Sequence, residues 1–221
     1  MASDWVAIFE RERGRYEDGR SRLPRLEHPD DRQRQLTRMG NAAAGAGLAL
    51  LMAGRRAEAA EWLARAAERY RESFPDAPSG SWGRPIGAVK ARVLADDWGG
   101  GEEDARWTLE KGAADSDSPI GRYAGCLALL VLGRDDEAAQ LADSLCDRDD
   151  FPADVADALA AIAAGDQVAY QTAAAAVLFS FATREEYLED IPVADTVLVL
   201  QALAGPRGLA VELASGLLPS S

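Results

Sequence analysis

The chain has 221 residues, 48% hydrophobic and 7% aromatic, with 37 acidic side chains against 24 basic ones and a net charge of −13. An apolar share carried by Ala and Leu favours helix over sheet, and so negative a chain is not built to neutralise phosphates, so nucleic acid is not an expected partner. The imbalance sits in one half: residues 1–100 carry 17 bases and 15 acids, residues 101–221 carry 7 bases and 22 acids, so the C-terminal half would draw a basic partner toward it. No stretch reaches the roughly 18 apolar residues of a membrane span. The opening Met-Ala-Ser-Asp-Trp lacks a basic segment followed by an apolar run, and a cytoplasmic protein that does not enter membranes is expected.

The elements follow in chain order. Residues 3–16 place Trp5, Ile8, Phe9 and Tyr16 on one face of an amphipathic helix, which with the loop to residue 29 forms an N-terminal cap. His28 precedes Pro29 at a helix start and is expected to cap it or to lie on the surface. Residues 47–54 form an apolar helical run ended by Gly54, and Ala57 to Trp62 opens a second, Ala-rich helix. Residues 71–84, rich in Pro, Gly and Ser, are expected to be an inserted loop. Gly99 to Gly101 is expected to be a turn, followed by a helix through Glu102 and Trp107. Ser118 before Pro119, and Phe151 before Pro152, signal two further helix starts. Thr183 with Glu186 reads as a capping box, and Ile191 with Pro192 as the opening of a last hairpin. The tail after Gly208 is expected to be a closing helix or an extended end.

These elements repeat. The runs at residues 47–54, 126–133, 158–165 and 198–205 share one outline, each ending in Gly, the residue that turns left-handed past a helix end at least cost. Trp107 and Leu141, at equivalent places in the following helices, are 34 residues apart, which is the tetratricopeptide period. Over residues 30–182 the chain resembles the tetratricopeptide family: small residues and Leu on a first helix, a Gly turn, then an Ala-rich second helix. It departs from that family's pattern in lacking the Trp and Tyr of the first helix and the regular Pro at each repeat end. The resemblance implies an all-α fold of antiparallel helical hairpins stacked as a short solenoid of about 10–11 helices. One domain over residues 1–221 is expected, made of the cap (1–29), four hairpins (30–182) and a C-terminal hairpin (183–221).

Chemistry is hard to find. One His offers no metal set, Cys126 and Cys146 lack metal or redox spacing and are expected to be buried thiols, and residues 83–90 fail the phosphate-loop spacing. Acid pairs such as Asp135 with Asp136 fall at helix starts, where the helix dipole favours them. No catalytic residue, metal or cofactor is expected. If first helices line a concave face, the polar residues there become candidates to hold a partner: Arg38 and Asn41, then Trp82, Arg84, Lys90 and Arg92, then Arg122 and Tyr123. Arginine forks suit a carboxylate or an acidic peptide end.

The expected function is non-catalytic protein or peptide binding. The groove residues suit an acidic peptide, whereas the acidic half suits a basic protein. Residues 194–219 resemble the endings of all-helical immunity proteins of polymorphic toxin systems, with a Leu-rich helix followed by Arg207-Gly-Leu-Ala-Val211 and a terminal Leu-Pro, and that resemblance implies binding and neutralising a toxin. The alternatives are a small apolar ligand held between hairpins near Trp82, Trp98 and Trp107, and a regulatory scaffold.

Overall fold

The structure, a computed structural model, describes residues 4–220, the side chain of Leu188 excepted. Among the described residues there are ten α-helices and no strand: α1 (Trp5–Arg22), α2 (Pro29–Met52), α3 (Arg56–Ser73), α4 (Gly83–Leu94), α5 (Trp98–Glu110), α6 (Pro119–Val131), α7 (Asp135–Cys146), α8 (Ala153–Ala164), α9 (Gln167–Ala182) and α10 (Asp195–Ala204). Within each of two compact units, helices adjacent in sequence pack on one another as hairpins, giving the expected all-α class. The chain divides into two compact units. Unit 1 is Met1–Asp97 with Glu186–Val193 and Gly216–Ser221; unit 2 is Trp98–Glu185 with Ala194–Ser215.

In unit 1, α1 packs on α2, α2 on α3, and α3 on α4. Asp4 caps α1, accepting from the Ala7 amide at 3.0 Å. The buried stripe of α1 is Phe9, Glu12, Tyr16 and Gly19, at the three-and-four spacing of one helix face. Phe9 and Tyr16 meet Trp62 of α3 edge-on, at centroid distances of 5.8 and 5.4 Å, the favoured geometry for aromatic quadrupoles. His28 caps α2 as anticipated, its Nδ1 accepting from the Asp30 amide. Close approach sets the glycines of α2: a Cβ on Gly47 would strike Leu63 and the Ala59 carbonyl, and one on Gly40 would strike the Tyr70 ring.

In unit 2, α5 through α9 pack pairwise in sequence, and α10 lies on α8 and α9. Leu127, Leu130, Leu145, Leu159, Ile162, Leu200 and Leu203 are fully buried. Tyr170 of α9 is buried too, its hydroxyl donating to Gln201 Oε1 at 2.9 Å while Gln201 Nε2 donates to the Val211 carbonyl at 2.6 Å. Burial pushes the Tyr170 phenol up from its ordinary value. Arg207, in the turn after α10, fastens three elements. Its guanidinium donates to Asp135 at the start of α7 (2.5 Å), to the Leu130 carbonyl near the end of α6 (2.7 Å) and to the Leu203 carbonyl of α10 (2.7 Å).

Four boundaries differ from expectation. The glycine triplet at residues 99–101 lies inside α5, because Asp96, at φ 57°, makes the left-handed turn after α4 instead; Asp is among the few non-glycine residues that tolerate it. Thr183 does not open a helix but closes one: its hydroxyl donates to the Phe179 carbonyl of α9 at 3.1 Å. The loop expected over residues 71–84 is shorter, since α3 runs on to Ser73 and α4 starts at Gly83. Over residues 183–220 the chain makes a 3-10 turn (Leu188–Asp190), α10, a second 3-10 turn (Gly205–Arg207) and a non-helical tail, where a C-terminal hairpin was expected over 183–221. Gly54, Gly133 and Gly165 turn left-handed past α2, α6 and α8 as anticipated, but after α10 that role passes from Gly205 to Gly208.

Candidate functional site

Six of the eight sequence-proposed residues fall in unit 1. Arg38 is exposed on α2, Trp82 is the half-buried residue before α4, and Lys90 is half-buried on α4. Arg92 pairs with Asp97 at 2.8 Å. Arg84 points back onto α2: its Nε lies 3.1 Å from Thr37 Oγ1 and 3.0 Å from Ser73 Oγ, and its NH2 donates to Gln33 Oε1. Burial lowers its guanidinium below the ordinary value. Asn41 accepts from the Tyr70 hydroxyl at its Oδ1 and donates from Nδ2 to Glu189, both at 3.0 Å. The other two residues belong to unit 2: Arg122 ties the Ser116 carbonyl at 2.9 Å, and Tyr123 is buried against Phe151 at 5.5 Å.

Within unit 1, Gln33, Thr37 and Asn41 therefore make a polar stripe along α2, four residues apart, that engages Arg84 at one end and Glu189 at the other. The stripe continues to Gly45, where a Cβ would meet Ile191 and Glu12. Residues that sequence reasoning passed over complete this end. Glu12 is fully buried, receiving Arg11 at 2.7 Å and Arg15 at 2.9 Å. Arg15 also reaches Glu189 Oε2 at 2.5 Å, and Arg11 donates to the Glu189 carbonyl at 2.8 Å. The available signal was an acid inside the apolar stripe of α1, a position that is tolerable only when the charge is paired.

The charges in this cluster hold one another. Burial alone would raise the Glu189 carboxyl, but hydrogen bonds from Asn41 and Arg15 and the positive charges of Arg15 and Arg11 bring it below the usual range. Burial likewise works to lower Arg15, and Glu189 and Glu12 outweigh it. The Arg15 side chain keeps 42% of its exposure and Glu189 21%, so water screens the pair to about 1 kcal/mol or less. Against that, Glu189 and Asp190 both sit at φ 56°, a left-handed conformation costing about 1–2 kcal/mol per residue.

Unit 2 presents a different surface. It carries 19 acids against 7 bases, a net charge of −12, and most of the acids are exposed. Its helix α9 contains no charged residue at all. One face of α9, with Tyr170, Ala173, Ala174, Val177 and Phe181, is buried; the other presents Val168 at 75% exposure, Thr172, Ala175, Ala176 and Phe179 at 69%. Gln171 and Thr172 are polar members of this uncharged outer face, beside two large apolar side chains left exposed.

The cysteines separate by environment. Cys126 is buried, and desolvation with nearby Cys146 pushes its thiol up to about 12. Cys146 is exposed, contrary to expectation, because it ends α7 beside Asp157 rather than facing the core; partial burial and the charges of Asp157, Asp143 and Asp147 raise its thiol too. Neither forms a disulfide. Thiol alkylation at pH 8 is therefore expected to label one thiol per native chain, Cys146, more slowly than an unperturbed cysteine, and both thiols in denaturant. Rapid labelling of two thiols in the native chain would contradict the burial of Cys126.

No group of three or more His, Cys, Asp or Glu side chains placed to hold a metal ion occurs among the described residues, and no helix among them is long and apolar enough to cross a membrane. No family model matches the chain, and no curated protein and no solved structure matches it.

Proposed function

We propose that this protein is a non-catalytic, tetratricopeptide-like protein-binding module that holds a basic protein against unit 2, in the manner of an immunity protein neutralising a toxin. The observation that carries this reading is the charge-free outer face of α9 on a unit of net charge −12. An apolar patch set in a charged surround is the anatomy of a protein interface: the apolar centre supplies the burial energy, and the charges set encounter rate and partner choice. Phe179 is the natural anchor, since large aromatic side chains at an interface centre carry a disproportionate share of binding energy. Two free thiols suit a reducing compartment such as the cytoplasm.

Cross-linking in native lysate with mass spectrometry, repeated at low and high salt, tests the reading. A stoichiometric basic partner is expected for the unaltered chain, lost with Phe179→Asp and weakened by salt. Because Phe179 is largely exposed, the variant is expected to keep its helix content and melting temperature. Capture of the same partner by Phe179→Asp, or of no basic partner at all, would sink the proposal.

A further inference from the structure

We propose that the cleft formed by Arg11, Arg15 and Asn41 is a binding site for a glutamate-bearing peptide segment of a partner, and that Glu189 fills it as a resident stand-in. This inference does not depend on the role given to α9. Three contacts define what the site reads. Asn41 Nδ2 holds one carboxylate oxygen at 3.0 Å, Arg15 holds the other at 2.5 Å, and Arg11 holds the backbone carbonyl of the same residue at 2.8 Å. The Tyr70 hydroxyl donates to Asn41 Oδ1, which turns the amide nitrogen toward the carboxylate. A side-chain carboxylate read together with its own backbone carbonyl specifies a residue within a peptide rather than a small anion.

The charge count points the same way. Arg11 and Arg15 face Glu12 and Glu189, and Glu12 is fully buried and fixed in the core of α1. Without Glu189 the cleft keeps two guanidiniums against one carboxylate, an excess of one positive charge that one incoming carboxylate cancels. The stand-in makes its three contacts at a backbone cost. Glu189 and Asp190 are both left-handed at φ 56°, and residues 182–186 before them are exposed. Ile191 and Val193 after them are buried and supply the anchor. Residues 185–190 therefore form a strap with a left-handed turn at Glu189 and Asp190, from which a competing segment of the same chemistry can displace Glu189.

The probe is a synthetic peptide carrying residues 183–193 (TREEYLEDIPV), with a second peptide in which the residue matching Glu189 is Gln. In the full-length Glu189→Gln chain the cleft loses its resident carboxylate, so the glutamate peptide is expected to bind at least ten times more tightly than it binds the unaltered chain. The glutamine peptide is expected to bind neither. Adding Asn41→Ala to Glu189→Gln is expected to remove the gain, and circular dichroism reports whether each variant keeps its helices. Hydrogen exchange over residues 185–190 is expected to quicken in Glu189→Gln while α1 and α2 stay protected. Equal peptide binding by the Glu189→Gln and unaltered chains, equal binding of the two peptides, unchanged exchange of the strap, or competition by free glutamate as effective as the peptide would each overturn the proposal.

Discussion

Replacing Arg207 by Ala is expected to destabilise the protein by about 2–3 kcal/mol, because hydrogen bonds from a charged donor are the stronger class and two of the three acceptors left behind belong to buried residues. The side chain is only 15% exposed and serves Asp135, the Leu130 carbonyl and the Leu203 carbonyl together. Arg207→Lys retains the charge but not the planar fork that reaches three acceptors, so it is expected to restore less than half of the loss. The measurement is the urea midpoint of each variant, with amide exchange at the turn between α6 and α7 as a local reporter. An unchanged midpoint would mean that Arg207 is an ordinary surface residue. The stretch from Arg207 to Val211 carried the likeness to immunity-protein endings, and its packing has a structural account: a guanidinium tie, a left-handed Gly208, a buried Leu209 and a carbonyl at Val211 that receives Gln201.

Two glycine-to-alanine substitutions are expected to act in opposite directions. A Cβ on Gly125 of α6 would lie 2.8 Å from the backbone N and Cα of Ala114 and 3.1 Å from the Ala113 carbonyl carbon. Backbone cannot swing aside as a side-chain tip can, so Gly125→Ala is expected to cost about 1–3 kcal/mol as α6 is forced off the segment before it. Gly14 lies in the exposed face of α1 with nothing within 4 Å of an added Cβ. Gly14→Ala removes the backbone entropy penalty of a mid-helix glycine and is expected to gain about 0.5–1 kcal/mol. Thermal melts of both variants beside the parent chain read the two signs. A destabilised Gly14→Ala would imply a contact at that face, and a neutral Gly125→Ala would imply that α6 and the preceding loop separate easily.

The proposed groove was legible only in part. Asn41 lies on a polar stripe of α2 that Arg84 of α4 also engages, but Arg84 is absorbed by Gln33, Thr37 and Ser73, and Arg122 by the Ser116 carbonyl. A charged residue on an apolar helix announces that it needs a partner; it does not announce whether the partner is internal. Glu189, the carboxylate that Asn41 holds, is 148 residues away, and no local pattern couples such distant positions.

What the sequence determined by itself is whatever depends on neighbours a few residues apart. The helical class, the glycines that end α2, α6 and α8, the cap at His28 and the apolar face of α1 follow from propensity, periodicity and capping, which are local energies. Tertiary structure decided the rest. Which aspartate or threonine ends a helix was settled by the hydrogen bond within reach, as at Thr183. Which cysteine is buried was settled by packing: Cys126 of α6 lies against the Ala138 carbonyl of α7, whereas Cys146 ends α7 exposed beside Asp157. The gathering of Glu12, Asn41 and Glu189 at one place, and the bareness of α9 on its outer side, arise from chain-distant packing, whose free energy lies in contacts that no short window of sequence contains.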